Sequence, residues 1–221
     1  MVRYEYTQDL ENLRGAVVAM SSMVDKAITR SIEALIRQDV RIAEEVMVAD
    51  RAVNDQRWSI EEDALRIIAT QAPMAGDLRS IAAAIHIVTD LERMGDHAAG
   101  IAKIVLATAN EPLLKPLVDI PRMAEISRGM LNDAITSYIE ADADAARRIA
   151  IKDDEVDALY EQIYRELLTY MMADPSTINR ATHLLWVAHN LERVADRVTN
   201  ICERVVFSET GELTEINVST Y

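Results

Sequence analysis

The stretch DLERMGDH, Asp90–His97, returns one hundred positions later as NLERVADR, Asn190–Arg197. Both copies keep Leu, Glu, Arg and, three residues after the Arg, an Asp. At this offset Leu91, Glu92, Arg93, Asp96, Ile101 and Val105 meet Leu191, Glu192, Arg193, Asp196, Ile201 and Val205. Earlier in the chain the offset is 103: Ile32, Asp39, Ala43, Asp50, Val53, Ile60 and Leu65 fall on Ile135, Asp142, Ala146, Asp153, Val156, Ile163 and Leu168. A short match found anywhere carries little weight. One found at the register set by its flanks marks a duplicated domain, with a period far longer than a solenoid repeat.

Each copy reads as three helices. Leu10, Leu13, Val17, Met20, Val24, Ile28, Ile32 and Leu35 recur at helical spacing, and period-two alternation is absent. Only 6 Gly and 5 Pro among 221 residues, with 5% aromatics, favour long helices over strands and turns. Thr7 with Asp9 is expected to open the first helix. The second runs from near Asp39 to about Ala69 with Ile42, Val46, Val53, Ile60 and Leu65 as its buried stripe. Pro73 and Gly76 mark a turn, and Asp77 is the expected N-cap of a third helix reaching about Thr108. NEPLLKP, residues 110–116, is the linker. Asp119, Asp142 and the break Asp174-Pro175-Ser176 then precede a fourth, fifth and sixth helix. The expectation is an all-α protein of two pseudo-symmetric three-helix bundles, residues 1–109 and 117–206, with residues 207–221 as a mobile tail.

A net charge of −14 argues against nucleic acid as the main partner, because phosphate neutralisation needs a basic surface. It is compatible with cations or a basic patch on another protein. One cysteine, Cys202, cannot form an intrachain disulfide and fits a reducing compartment. The N-terminal residues MVRYEYTQDLENLRG lack the apolar run of a signal peptide, and no apolar window is long enough to span a bilayer. A cytoplasmic location is expected. No nucleophile–base motif, phosphate-binding glycine run, HExxH, CxxC or ExxH pair is present, so catalysis is not advertised.

The repeated motif sets Glu and Asp about one helical turn apart on one face. At about 100° per residue, Asp196 falls roughly 40° from Glu192, beside the apolar stripe of Val187, Leu191, Val194, Val198 and Cys202. Arg193 and Arg197 fall on a more exposed side, as Arg93 does in the first copy. Like charges at i and i+4 repel, and burial adds a desolvation cost. Two kinds of partner can offset this: an arginine, with one from a neighbouring helix the better placed, or a cation held by carboxylates from adjacent helices. Glu92, Asp96, Glu192 and Asp196 are therefore the candidate metal ligands. Asp50 and Asp153, at matched points, and Glu203 are further candidates; Lys103 stands at the position matching Glu203. Oxygen donors favour Mg, Mn, Ca or iron over a structural zinc site. His189 could approach Glu192; the other histidines read as surface or core-edge residues, and Trp58 and Trp186 as packing residues.

With PMAGDLRSI and DLERMGDHAAGI in the first copy and NLERVADRVTNICE in the second, residues 7–206 resemble the PhoU family. These are phosphate-transport accessory proteins and negative regulators of the bacterial phosphate regulon. The resemblance implies two three-helix bundles with metal clusters, iron foremost, on Glu92–Asp96 and Glu192–Asp196. It further implies a cytoplasmic homodimer and an adaptor role without catalysis. Its partners would be the sensor histidine kinase of the phosphate two-component system and the ATPase subunit of the phosphate ABC transporter, with only peripheral membrane contact. Two positions depart from the family pattern: Arg197 stands where a His commonly follows the second Asp, and Gly100 stands opposite Asn200. Read without the resemblance, the same carboxylates also fit a metal-dependent phosphohydrolase or redox enzyme, or a metal-free scaffold.

Overall fold

The N-terminal periodicity becomes one long helix, α1 (Val2–Arg37), in a computed structural model that describes residues 2–217. Leu13, Val17, Met20, Val24, Ile28, Ile32 and Leu35 are all buried along it. The helix starts ahead of Thr7 and Asp9, which lie within it; Asp9 pairs with Arg66 at 3.5 Å instead of capping. Helix α2 (Val40–Gln71) is capped by Asp39, whose carboxylate accepts from the Ile42 N–H at 3.1 Å, a contact worth about 1 kcal/mol. Ile42, Val46, Val53 and Ile60 are buried, but Leu65 is 61% exposed. The stripe continues through Ala64 and Ile67, four and seven residues after Ile60, whereas Leu65 falls outside that spacing.

Helix α3 (Gly76–Thr108) starts one residue before Asp77, so Asp77 sits in its first turn and not at the cap. There its carboxylate accepts from the Tyr6 hydroxyl at 2.8 Å, tying α1 to α3. The linker is held at several points: Gln38 donates to the Glu111 carbonyl at 2.6 Å, and buried Lys115 pairs with Glu166. Helix α4 (Asp119–Glu140) ends at Ala141 in the left-handed region.

The fifth expected helix is two: α5 (Ala143–Ala150), capped by Asp142 on the Ala145 N–H at 2.8 Å, and α6 (Asp153–Ala173). Neither Pro nor Gly stands at the break. Its residues close tighter turns, with Lys152 and Glu155 donating to carbonyls three residues back. Asp153, Asp154 and Glu155 then sit in the first turn of α6, where the positive end of the helix dipole favours them. A 3-10 turn at Pro175–Thr177 leads into α7 (Ile178–Thr210).

Helices make up 87% of the described residues, with no strand among them, and with α5 and α6 taken together as one broken rod the six rods form two three-helix bundles. The bundles join through α3 and α7, which run antiparallel: His97 meets Asn190 at 3.0 Å, and Asp90 meets Arg197 at 3.4 Å. Asp90 and Asn190, and His97 and Arg197, are matched repeat positions, so these two contacts are pseudo-symmetric copies. Arg128 grips Asp25 with two bonds of 2.7 and 3.0 Å between α4 and α1. These two are also repeat counterparts at offset 103, so their pair lies near the pseudo-two-fold axis. Gly100 has a packing reason: a Cβ there would stand 2.9 Å from Asn190 Oδ1.

The loss of periodicity at residue 207 does not end the last helix, which continues to Thr210 and stops at Gly211 with φ 79°. Residues after it fold back. The Ile216 N–H donates to Glu203 Oε1 at 3.1 Å, and Asn217 reaches the Ala150 carbonyl freed at the α5–α6 break, at 3.4 Å. Residues 218–221 of the expected tail lie outside the described residues.

Candidate metal centre

In the second half the motif faces α6. Asp153 at its first residue is 4% exposed, and its Oδ1 has no hydrogen-bond partner among the described residues. Asp157, one turn on, is half-buried beside it. From α7 come Glu192 and Asp196, with side chains 12% and 18% exposed. Glu192 Oε2 is also buried without a hydrogen bond; His189 Nδ1 lies 3.5 Å away, so this histidine does reach the site. Burial, then the charges of Asp157, Asp196, Glu192 and Asp154, push the Asp153 carboxyl up to about 7. Burial followed by Asp196 brings Glu192 up to about 7, with Arg193 opposing. Asp157 is raised by burial and then by Asp196.

The arginine inside this motif is a better partner than the helical angles implied. Arg193 Nη1 donates to Asp196 Oδ2 at 2.6 Å. Its side chain is long enough to curl back over one turn, which Cα directions alone do not convey. Glu192 and Asp153 keep no such partner. They are the unresolved charges of the site, and their hard oxygen donors suit Mg, Mn, Ca or iron. As the side chains stand, no three Asp, Glu, His or Cys among the described residues converge closely enough to grip an ion.

The first half is built differently. Glu92 is 8% exposed, and Arg57 from α2 reaches its Oε1 at 3.4 Å. The neighbouring-helix arginine therefore exists here. Arg57 is itself held, with Nε bonded to Glu61 at 2.8 Å and its guanidinium 5.3 Å from the Trp58 ring centre. Arg93 lies 3.6 Å from Glu92 Oε2 and 3.7 Å from Asp96, whose side chain is 46% exposed. Asp50 approaches α3 over Gly95, where a Cβ would sit 3.5 Å from its Oδ1. That oxygen is buried without a partner. Burial, then Asp96, raises the Asp50 carboxyl, and Lys103 opposes them.

Of the candidate ligands, the structure thus gathers Asp153, Glu192 and Asp196 in one place and Asp50, Glu92 and Asp96 in another. Glu203 is not with either set: it faces the C-terminal segment, Arg204 and Asp90. Asp157 and Arg57 also stand in these two sets, and the repeated motif alone did not point to them. Asp157 was legible as the residue four after Asp153 on α6, and Arg57 as the residue matched by Tyr160 at offset 103. The tryptophans do not pack in the core: Trp58 is 63% exposed and Trp186 55%, the latter edge-on to His189. Cys202 is buried in the α7 stripe, as its spacing implied. No helix among the described residues is long and apolar enough to cross a membrane.

Comparison with known proteins returns the duplication. A family model described as the PhoU domain matches twice, at residues 17–105 and 120–205. A phosphate-specific transport system accessory protein PhoU homolog of Aquifex aeolicus is 43% identical over 206 residues, covering 93% of each chain. One from Clostridium acetobutylicum is 38% identical over 218 residues, covering 98% of this chain and all of the relative. The crystal structure of PhoU from Pseudomonas aeruginosa superposes with a TM-score of 0.89 at 33% identity, over 94% of this chain and 100% of that one. That of the phosphate transport system regulatory protein PhoU from Streptococcus pneumoniae gives 0.88 at 33% identity, over 95% and 99%.

Proposed function

The chain belongs to the PhoU family, and on that premise we propose that it is an accessory and regulatory protein of phosphate transport that acts by binding other proteins. The observation that carries this reading is that both copies of the domain match along nearly their whole length, as do full-length relatives named for that role. The finer reading is a cytoplasmic adaptor without catalysis. It holds the sensor histidine kinase of the phosphate system in its off state and restrains the transporter through its ATPase subunit. As a homodimer it would present each surface twice. The exposed Trp58 and Trp186, which flank the two carboxylate groups, give each half an apolar anchor of the kind that dominates protein interfaces.

The second-half carboxylates support a metal ion as part of this adaptor. Asp153, Asp157, Glu192 and Asp196 would hold it, with iron first by family and Mg, Mn or Ca on the same oxygen chemistry; zinc, with its preference for N and S ligands, is the poorer match. A bound cation would neutralise the buried charge and brace α6 against α7. Asp196 would have to leave Arg193 to take part.

Deletion of the gene tests the reading. Phosphate-starvation genes should become constitutively expressed in rich phosphate, and tagged protein should co-purify with the transporter ATPase or the kinase. Unchanged regulation together with no such complex would refute it.

A further inference from the structure

We infer that the two halves neutralise their buried carboxylates with different cations: in the first half the Arg57 guanidinium takes the role that a metal ion takes in the second. This rests on the second-half metal reading and adds that Glu92 and Asp96 bind no metal in this chain.

Five matched positions differ, four of them towards a more positive first half, while the fifth, Glu61 against Tyr164, runs the other way. On the face of α2 towards the motif stand Asp50, Asn54, Arg57 and Trp58; their counterparts on α6 are Asp153, Asp157, Tyr160 and Glu161. The first set sums to no formal charge and the second to −3; with Glu61 and Tyr164 counted, α2 carries −1 here against −3 on α6. On α3, the charge of Lys103 acts on Asp50, whereas its counterpart on α7, Glu203, stands apart from the second set and faces the C-terminal segment. Arg57 is also fixed in place. Glu61 holds its Nε at 2.8 Å, the Trp58 ring lies under the guanidinium, and Nη1 sits 3.4 Å from Glu92 Oε1. Glu61 and Trp58 replace groups, Tyr164 and Glu161, that could not hold an arginine this way. An ion bound to Glu92 would meet a guanidinium already there, and a planar, permanently charged group cannot be discharged to make room. Both halves keep buried oxygens without hydrogen bonds among the described residues, Asp50 Oδ1 and Glu92 Oε2 in the first, Asp153 Oδ1 and Glu192 Oε2 in the second. The halves differ in that no ion pair from α6 to Glu192 answers the Arg57–Glu92 pair among the described residues, and the motif's own Arg193 is bonded to Asp196.

Metal content separates the halves. The full chain, stripped with chelator, is reloaded with manganese(II) alone and, separately, with iron(II) under argon, then gel-filtered and assayed for metal per chain. Glu92→Gln with Asp96→Asn should leave the content unchanged, while Glu192→Gln with Asp153→Asn should reduce it at least tenfold. A variant that copies the second half into the first (Asn54→Asp, Arg57→Tyr, Trp58→Glu, Lys103→Glu) should gain metal, and lose that gain when Glu92→Gln is added. Should circular dichroism find this variant unfolded, Arg57→Gln with Lys103→Gln is read in the same way. Loss of metal on Glu92→Gln with Asp96→Asn in the otherwise native chain overturns the inference and leaves the second-half site standing. If the native chain takes up no metal, the metal reading of the function fails; the copying variant then still decides, because Glu92-dependent uptake upholds exclusion by Arg57 and no uptake overturns it.

Discussion

Replacing Asp153 with Asn should stabilise the metal-free protein, and only at the alkaline end of its range. Asp153 is 4% exposed, and its carboxyl is raised from 3.8 to about 7, by burial first and then by neighbouring carboxylates. Three units at about 1.4 kcal/mol each put the cost of ionising it in the fold on the order of 4 kcal/mol. Glu192, also raised to about 7, shares the same repulsion, so one substitution recovers only part of it. An Asn amide also keeps an imperfectly bonded polar group in place. The expected gain is about 1–3 kcal/mol at pH 8, or a few degrees in Tm for a chain of this size. The pH dependence fixes the sign. The folded values lie above the unfolded ones, so both acids contribute stability that is full below about pH 4 and is lost as pH rises through about 7. Melting followed by circular dichroism at pH 5, 6, 7 and 8 in chelator should find a native chain that weakens across this window and an Asp153→Asn chain that weakens less. Equal slopes in the two proteins would refute the reasoning, whatever the absolute Tm.

Metal affinity should rise with pH up to about 7 and then level off, with protons released on binding, because Asp153 and Glu192 must ionise to act as ligands; calorimetry in buffers of different ionisation heat measures this. Gly100→Ala should destabilise by about 1–3 kcal/mol, since the new Cβ meets Asn190 Oδ1 at 2.9 Å, and a double-mutant cycle with Asn190→Ala should recover part of the loss. Arg128→Ala removes a two-bond grip on Asp25 that is partly open to solvent, for an expected cost of about 1 kcal/mol that shrinks in high salt. Cys202, buried and pushed up to about 12 by burial, should react with a thiol reagent at pH 8 only after denaturant is added.

Reading the chain against itself was enough to reach the duplication, the all-helical class and most of the core, because those follow from local spacing. A residue such as Val17 or Leu191 is placed by its period alone. The same logic put Glu92, Glu192 and Asp196 beside the core, and Asp39 and Asp142 at their caps, whereas Asp96, expected at the same inner edge, is exposed. It failed where a side chain's fate depends on something distant in the chain. Asp77 was drawn to Tyr6, 71 residues away, and Glu203 to the folded-back C-terminal segment. Trp58 is exposed, with the Arg57 guanidinium over its ring and no helix among the described residues packed on it as the core reading expected.

The partners of the carboxylates belong to that second class. Periodicity within α3 and α7 assigns Glu and Asp to the inner edge of each helix, and it does so equally in both halves. Whether an inner-edge carboxylate meets a guanidinium or another acid depends on which residue of the neighbouring helix packs against it. Only the packing of α2 on α3 and of α6 on α7 settles that. It puts Arg57 against Glu92 and Asp153 against Glu192, so one inherited motif came to rest in two different electrostatic settings, although each half keeps orphaned carboxylate oxygens. The physical reason is range: helical spacing is a property of a few neighbouring residues, whereas the cost of a buried charge is set by every group brought near it through space.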